Sequence, residues 1–72
     1  MLLHYARCLE IENFFLRLQS LVDKGTLTDT QQHVSTIWNM QRELHDMLQV
    51  GTVRAHAERA LQLSESLLQR IC

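Results

Sequence analysis

The sequence predicts an all-α fold of three helices, and the position of its helix-breaking residues is the first reason. The chain has no proline and only two glycines, Gly25 and Gly51, which divide its 72 residues into three nearly equal stretches. Each stretch carries apolar residues at helical spacing, which is the pattern of a helix with one buried face. Each stretch is also long enough for a helix of roughly 30 Å, at 1.5 Å per residue.

The expected architecture is a single small domain over residues 1–72, with helices over about 2–24, 29–50 and 53–71. These helices are expected to form a three-helix antiparallel bundle, or a helical hairpin with a third helix beside it. A domain of this size buries only about 60% of its unfolded surface. Completion of the fold by oligomerisation or by a partner is therefore part of the expectation.

The first helix carries two apolar faces. Its main stripe, which we expect to face the core, consists of Cys8, Ile11, Phe14, Phe15, Leu18, Leu21 and Val22. Away from it lies a second stripe, here called the outer strip, which consists of Leu2, Tyr5, Leu9 and Leu16. One bundle face cannot bury both stripes. The outer strip is therefore shared between two neighbouring helices, belongs to a frayed end, or forms an interface with a partner.

The second helix is predicted to begin after the turn-rich segment 25–29. Thr28 and Gln31 match a capping box, with Asp29 or Thr30 as the alternative N-cap. Its apolar residues recur at spacings of three and four, as in a coiled-coil seam. The seam consists of Ile37, Met40, Leu44 and Met47, flanked by Val34 and Leu48. Trp38 lies at the border of this seam, where a tryptophan is either an edge of the core or part of a binding surface.

The third helix is predicted to follow with almost no loop, because Gly51 is expected to end the second helix and Thr52 to cap the third. So short a connection makes the second and third helices antiparallel neighbours. The core face of the third helix consists of Val53, Ala57, Ala60, Leu61, Ser64, Leu67, Leu68 and Ile71. Arg54 and Glu58, four residues apart, are expected to form an exposed ion pair.

The charge balance argues against several classes of partner. Seven basic and eight acidic residues give a formal net charge of −1. No basic stripe is visible, so nucleic acid is not favoured as a partner. The apolar start of the chain is interrupted by His4, Arg7, Glu10 and Glu12, and it resembles neither a membrane span nor a signal peptide. We therefore expect a cytoplasmic protein without a membrane-inserted segment.

No residue pattern indicates a reaction or a cofactor. The serines lack a histidine one helical turn away, and the chain has no glycine-rich phosphate loop, so we expect neither catalysis nor a small-molecule substrate. His4, Cys8 and Glu12 share a ridge but supply too few ligands for a metal centre. His45 is followed by Asp46, which points about 100° away on a helix and cannot readily orient the imidazole for phosphotransfer.

These observations predict a non-enzymatic helical module for protein–protein interaction, such as an adaptor, a small chaperone, a co-chaperone or an anti-regulator. The expected partner is another helical protein, a second copy of the chain, or both. The predicted contact residues are Leu2, Tyr5, Leu9, Leu16 and Trp38. The alternative is a small dimeric regulator that binds nucleic acid. A metal-binding or phosphotransfer bundle is a third class, with less in the sequence to favour it.

Overall fold

The computed structural model describes residues 2–71, with only the backbone of Leu2, and confirms the all-α prediction. It contains the helices α1 (Leu2–Lys24), α2 (Thr30–Met47) and α3 (Arg54–Ile71), and residues 2–71 contain no strand. The bounds of α1 agree with the predicted 2–24. Both α2 and α3 begin one residue later than predicted, and α2 ends three residues earlier.

α3 is the central helix of the bundle. It packs along both α1 and α2, whereas α1 and α2 touch each other at few points. The reason lies in a stripe of small residues on α3, because Ala57, Ala60 and Ser64 are all fully buried at 0% exposure. Small side chains shorten the distance at which a neighbouring helix can pack. α3 therefore holds one helix on each side, and α1 and α2 make few contacts with each other.

The cross-helix contacts fix the helix directions. Near the start of both helices, the ring of Tyr5 on α1 meets the ring of His56 on α3 edge-on, with centroids 5.1 Å apart. Near their ends, Asp23 on α1 forms an ion pair with Arg70 on α3. Contacts at both ends in the same order show that α1 and α3 run parallel.

α2 runs antiparallel to the other two helices. Arg7 near the start of α1 pairs with Glu43 near the end of α2. The ring of Phe14, further along α1, faces the ring of His33 in the first turn of α2, with centroids 6.4 Å apart. Later residues of α1 therefore meet earlier residues of α2, as in the predicted up-down-up bundle.

The core consists of residues that the sequence placed on the inner faces. The buried apolar residues are Cys8, Ile11, Phe15, Leu18, Ile37, Leu44, Met47, Val53, Ala57, Ala60, Leu61 and Leu67. The prediction for Leu21 is wrong, because this residue is 38% exposed although it was assigned to the main stripe. It lies at the edge of that stripe on the side of α2, and α1 and α2 have too few contacts to cover it.

One buried polar residue sets the register between α2 and α3. The Ser64 hydroxyl donates to the carbonyl oxygen of Leu61 at 2.6 Å and accepts from the Gln41 amide nitrogen at 2.9 Å. Within residues 2–71, no buried side-chain nitrogen or oxygen lacks a hydrogen-bond partner. A shift of α2 by one turn would break the hydrogen bond between Gln41 and Ser64, whose net contribution is about 0.5–1.5 kcal/mol.

Gly25 ends α1 as predicted. Its φ of 69° is left-handed, which glycine adopts without the steric penalty of a Cβ. Its amide nitrogen donates to the carbonyl of Val22, and the amide of Thr26 donates to the carbonyl of Leu21, both at 3.0 Å. This pair of hydrogen bonds is the Schellman motif, which satisfies carbonyls left free at a helix C-terminus.

The N-cap of α2 is Asp29, one of the three predicted candidates. Its φ of 52° and ψ of 47° are left-handed, and its side chain makes no capping hydrogen bond. The capping box predicted from Thr28 and Gln31 is therefore wrong. Aspartate is among the few residues other than glycine that enter this conformation with some frequency, so the tight turn selects it for its backbone rather than for its carboxylate.

The connection between α2 and α3 is longer than predicted. α2 ends at Met47 rather than at Gly51, and tight turns follow, with the amide of Val50 bonded to the carbonyl of Met47 and that of Val53 to the carbonyl of Val50. The carbonyl of Val53, not of Thr52, accepts the first bond of α3. Val53 itself is buried at 1% exposure, so this connection contributes to the core.

Leu44→Asp is expected to unfold the domain. Leu44 is fully buried at 0% exposure, and an aspartate there would bury an unpaired charge. The cost of several kcal/mol is comparable with the 3–5 kcal/mol that a core of roughly this size supplies. Far-ultraviolet circular dichroism measures the loss of helix. The control is Asn39→Asp, which introduces the same residue at an exposed position of α2. Full helicity of Leu44→Asp would show that this position is misplaced.

Candidate interaction surface

The outer strip of α1 is largely uncovered. Leu16 is 49% exposed and Tyr5 41% exposed, whereas Leu9 is half-buried. The side chain of Leu2, the fourth predicted member, lies outside the described part of the chain. The edge-on contact of Tyr5 with His56 shows that the strip runs along the side of α1 that borders α3. α3 covers part of the strip and leaves Leu16 in contact with solvent.

Trp38 does not join the outer strip. It is 58% exposed and lies one turn before Gln41, whose amide bonds Ser64 of α3. Trp38 is therefore on the side of α2 that borders α3. The residues of α2 that reach α1, such as Glu43, are on its other side. The predicted contact residues thus occupy two separate places, one on α1 and one on α2.

Two exposed leucines were not predicted as contact residues. Leu3 is 83% exposed and Leu21 is 38% exposed. They are 18 residues apart, which is about five helical turns, so both lie on the same edge of α1. That edge faces the gap between α1 and α2. The sequence could have indicated this edge, because a helical wheel places the two leucines at the same angle.

Two charged residues lie on α1 between the outer strip and this leucine edge. Glu10 and Arg17 are both exposed. Neither takes part in any of the four ion pairs formed within residues 2–71. Arg17 borders a shallow depression of about 490 Å³, which it lines together with Asn13, Leu16 and Ser20. We call the surface formed by Leu9, Glu10, Asn13, Leu16 and Arg17 the outer face of α1.

A cleft of about 540 Å³ lies between the first half of α1 and the end of α2. Its charged residues are Arg7, Glu10, Glu43 and Asp46, and it is also lined by His4 and by the apolar Leu3, Ala6 and Met47. Three carboxylates against one guanidinium give this cleft a negative potential. It is therefore unsuited to phosphate or to another anionic ligand.

A bidentate ion pair between α1 and α2 spans the cleft. Arg7 donates through Nε to one carboxylate oxygen of Glu43 at 2.6 Å and through Nη2 to the other at 3.0 Å. These hydrogen bonds hold the pKa of Glu43 below its ordinary value and raise the pKa of Arg7. Both side chains remain about two fifths exposed, so water screens the attraction. The pair links α1 to α2 where few other contacts do.

The arginines of α3 are each placed beside a carboxylate. Arg54 lies 3.3 Å from Glu58, which confirms the predicted pair, and Arg59 lies 4.0 Å from Glu12 of α1. The third, Arg70, pairs with a carboxylate at the end of α1. Each arginine of α3 therefore has a carboxylate neighbour, and these three arginines do not form an uninterrupted basic surface for a phosphate backbone.

The surroundings of the nucleophilic and metal-binding candidates can be given for residues 2–71. Burial raises the pKa of the Cys8 thiol, which disfavours the thiolate. His56 accepts at Nδ1 from a guanidinium nitrogen of Arg59 at 3.2 Å, because a guanidinium can only donate. Across the part of the chain that the structure describes, no three His, Cys, Asp or Glu side chains are grouped so as to hold a metal ion. The helices of the described chain include none with the length and apolarity needed to cross a membrane.

Glu43→Gln is expected to lower the free energy of unfolding by about 0.5 kcal/mol at pH 7, the size of a solvated ion pair. Folding lowers the pKa of Glu43 from its ordinary 4.5, so the stabilisation is present above that pH and is lost as the pH falls through the folded-state pKa. Urea unfolding at pH 7 and at pH 3 measures both values.

The control for this pH dependence is Glu65→Gln, which removes an exposed carboxylate of α3 that forms no ion pair within residues 2–71. Its effect is expected to be near zero at both pH values. Equal losses for the two variants, or a loss for Glu43→Gln that is as large at pH 3 as at pH 7, would contradict a stabilising pair with Arg7.

Comparison with known proteins assigns no family to the chain. No family model matches it, and no curated protein and no solved structure matches it.

Proposed function

We propose that this protein is a non-enzymatic helical interaction module that binds a helical partner through the outer face of α1. The observation that carries the proposal is the 49% exposure of Leu16 on a helix whose opposite face is already filled by the core. Adaptors, small chaperones, co-chaperones and anti-regulators are roles that such a module performs. We expect it to act in the cytosol.

The geometry of α1 favours helix-in-groove binding. Leu9 and Leu16 are seven residues apart, about two helical turns, and therefore point in the same direction. Tyr5 continues this line towards the start of the helix. A partner helix that lies along α1 can cover all three side chains, which is the arrangement in which an apolar helix face is recognised.

The expected affinity is moderate. Full burial of a leucine contributes about 1.5–3 kcal/mol, and half of the Leu16 surface is already covered, so its remaining contribution is about 1 kcal/mol. A micromolar complex needs about 8 kcal/mol in total. The partner must therefore also cover Tyr5 and satisfy the polar residues of the outer face, Glu10, Asn13 and Arg17.

The charge distribution supports a protein partner over a nucleic acid. In the alternative role, a DNA-reading regulator, α3 after the short turn would be the recognition helix. α3 is instead the central helix of the core, and Arg54, Arg59 and Arg70 each lie beside a carboxylate. The Cys8 thiol is buried among core residues, which supports a role without chemistry at that group.

A photo-crosslinker in place of Leu16 is expected to capture the partner. p-Benzoylphenylalanine at this position should give one discrete cross-linked band in cells that produce the protein, because the side chain lies in the contact. The control places the same group at Ser66, which is exposed on α3. A discrete band at twice the chain mass identifies a second copy, and one at another mass identifies a different protein. No difference between the two positions would contradict the proposal.

Leu16→Asp is expected to keep the fold and to abolish this association. The residue is half exposed, so an aspartate there keeps contact with water, whereas a partner that covers the site would have to bury its charge. Circular dichroism and the melting temperature check the fold, and capture of the partner identified by cross-linking checks the association. Unchanged capture of that partner by a folded Leu16→Asp variant would show that the outer face of α1 is not the binding surface.

A further inference from the structure

The outer face of α1 has the residue spacing of a coiled-coil seam. The seam extends one turn beyond this face at each end, and its residues recur at alternating spacings of three and four: Ala6, Leu9, Asn13, Leu16 and Ser20. Leu9 is half-buried, and the other four are exposed. Asn13 between the two leucines, and Ala6 and Ser20 beyond them, have short side chains that leave room for a second helix to approach. This pattern is separate from the main stripe, which the core of the domain occupies.

The charges beside this seam are opposite and equivalent in position. Glu10 directly follows Leu9, and Arg17 directly follows Leu16, so both occupy the same edge of the seam. They are seven residues apart, about 10 Å along the helix, which is too far for a direct ion pair with each other. The four ion pairs of the described chain include neither residue.

A second α1 in the antiparallel direction satisfies both charges at once. In a two-fold arrangement, residues at equal distances from the centre of the contact exchange places, so a centre between Asn13 and Phe14 sets Glu10 opposite Arg17 of the second copy. The same symmetry repeats the pair at the other end. A parallel arrangement in register instead places equivalent residues at the same height, so that like charges are level with each other.

We propose that the occupant of the outer face of α1 is a second copy of this chain, with the two α1 helices antiparallel and Glu10 of each copy paired with Arg17 of the other. The inference rests on the proposed function, because it names the partner for that same face. The formal net charge of −1 leaves little overall repulsion between two copies. The resulting dimer is a six-helix assembly in which Leu9 and Leu16 of both copies lie along the contact.

Charge reversal tests this pairing. Glu10→Arg and Arg17→Glu should each replace two attractive contacts of the dimer by two repulsive ones. The dimer dissociation constant is then expected to rise about tenfold or more at low salt. The double variant, Glu10→Arg with Arg17→Glu, restores opposite charges and should return the dissociation constant to within a few fold of the original. Sedimentation equilibrium over a wide concentration range measures all four proteins.

A mixture of the two single variants gives an independent signature. Glu10→Arg carries two positive residues on its outer face, and Arg17→Glu carries two negative ones. The mixture should therefore form heterodimers more tightly than either variant forms homodimers. Raising the salt concentration should reduce the differences among the variants, because the pairs are exposed. The control is Glu65→Arg with Arg42→Glu, which reverses exposed charges on α3 and α2 away from the seam. This control should dimerise as the original chain does.

The outcomes separate this inference from the proposed function. A chain that stays monomeric at all concentrations overturns the proposal that a second copy occupies this face. The cross-link at residue 16 then decides whether another protein binds there. A dimer that Leu16→Asp disrupts but charge reversal does not overturns the antiparallel pairing and leaves the proposed function in place. A dimer unaffected by Leu16→Asp and by charge reversal forms through another surface and overturns the second copy as occupant of this face, and the cross-link at residue 16 again decides whether another protein binds there. Circular dichroism of each variant confirms that the fold is retained.

Discussion

The close packing of two helices against the small residues of α3 is the constraint on which the rest of the structure depends. Ala57, Ala60 and Ser64 occupy the central face of α3 with no exposed surface. Because these side chains are short, α1 and α2 both approach this helix closely, and neither needs the other to complete its buried face. The weak contact between α1 and α2, the cleft between them and the exposed edge at Leu3 and Leu21 all follow from that arrangement.

The placement of the outer face follows from the same constraint. In a bundle whose three helices touch equally, each helix has two neighbours to cover its flanks, whereas α1 has one close neighbour. α3 covers the flank that includes Tyr5, through its contact with His56, and partly covers Leu9. Nothing within residues 2–71 covers the back of α1, so Leu16 keeps half of its surface in water. An apolar residue in that position has more to gain from a partner than any residue of the core.

The sequence was sufficient for the core and for the number of helices, because burial of apolar side chains imposes the helical period directly on the chain. It was insufficient where the decisive contact joins distant residues. The link between Arg7 and Glu43 and the hydrogen bond between Gln41 and Ser64 depend on helix register, which periodicity does not encode. The connection after Met47 was missed for a local reason, because Gly51 suggested a C-cap whereas the chain turns earlier. For the candidate site, the wheel located the outer strip but could not show that Trp38 lies elsewhere.

The ion pairs distinguish the sides of α1 whose charges pair with another helix from the side whose charges do not. The ion pairs between helices tie α1 to α3 at Glu12 and Asp23 and to α2 at Arg7, so three of the charges of α1 already serve the fold. Glu10 borders the cleft towards α2 and Arg17 lies further along the same helix, and neither forms an ion pair within residues 2–71. Solvated charges need no partner, and taken alone they indicate only a solvent-exposed surface. Here they lie beside a seam of leucines and short side chains. The negative charge of Glu10 lies on one side of the seam's centre, and the positive charge of Arg17 lies at the same distance on the other side. That order makes the face complementary to its own antiparallel copy, and a surface that is complementary to itself favours a symmetric dimer.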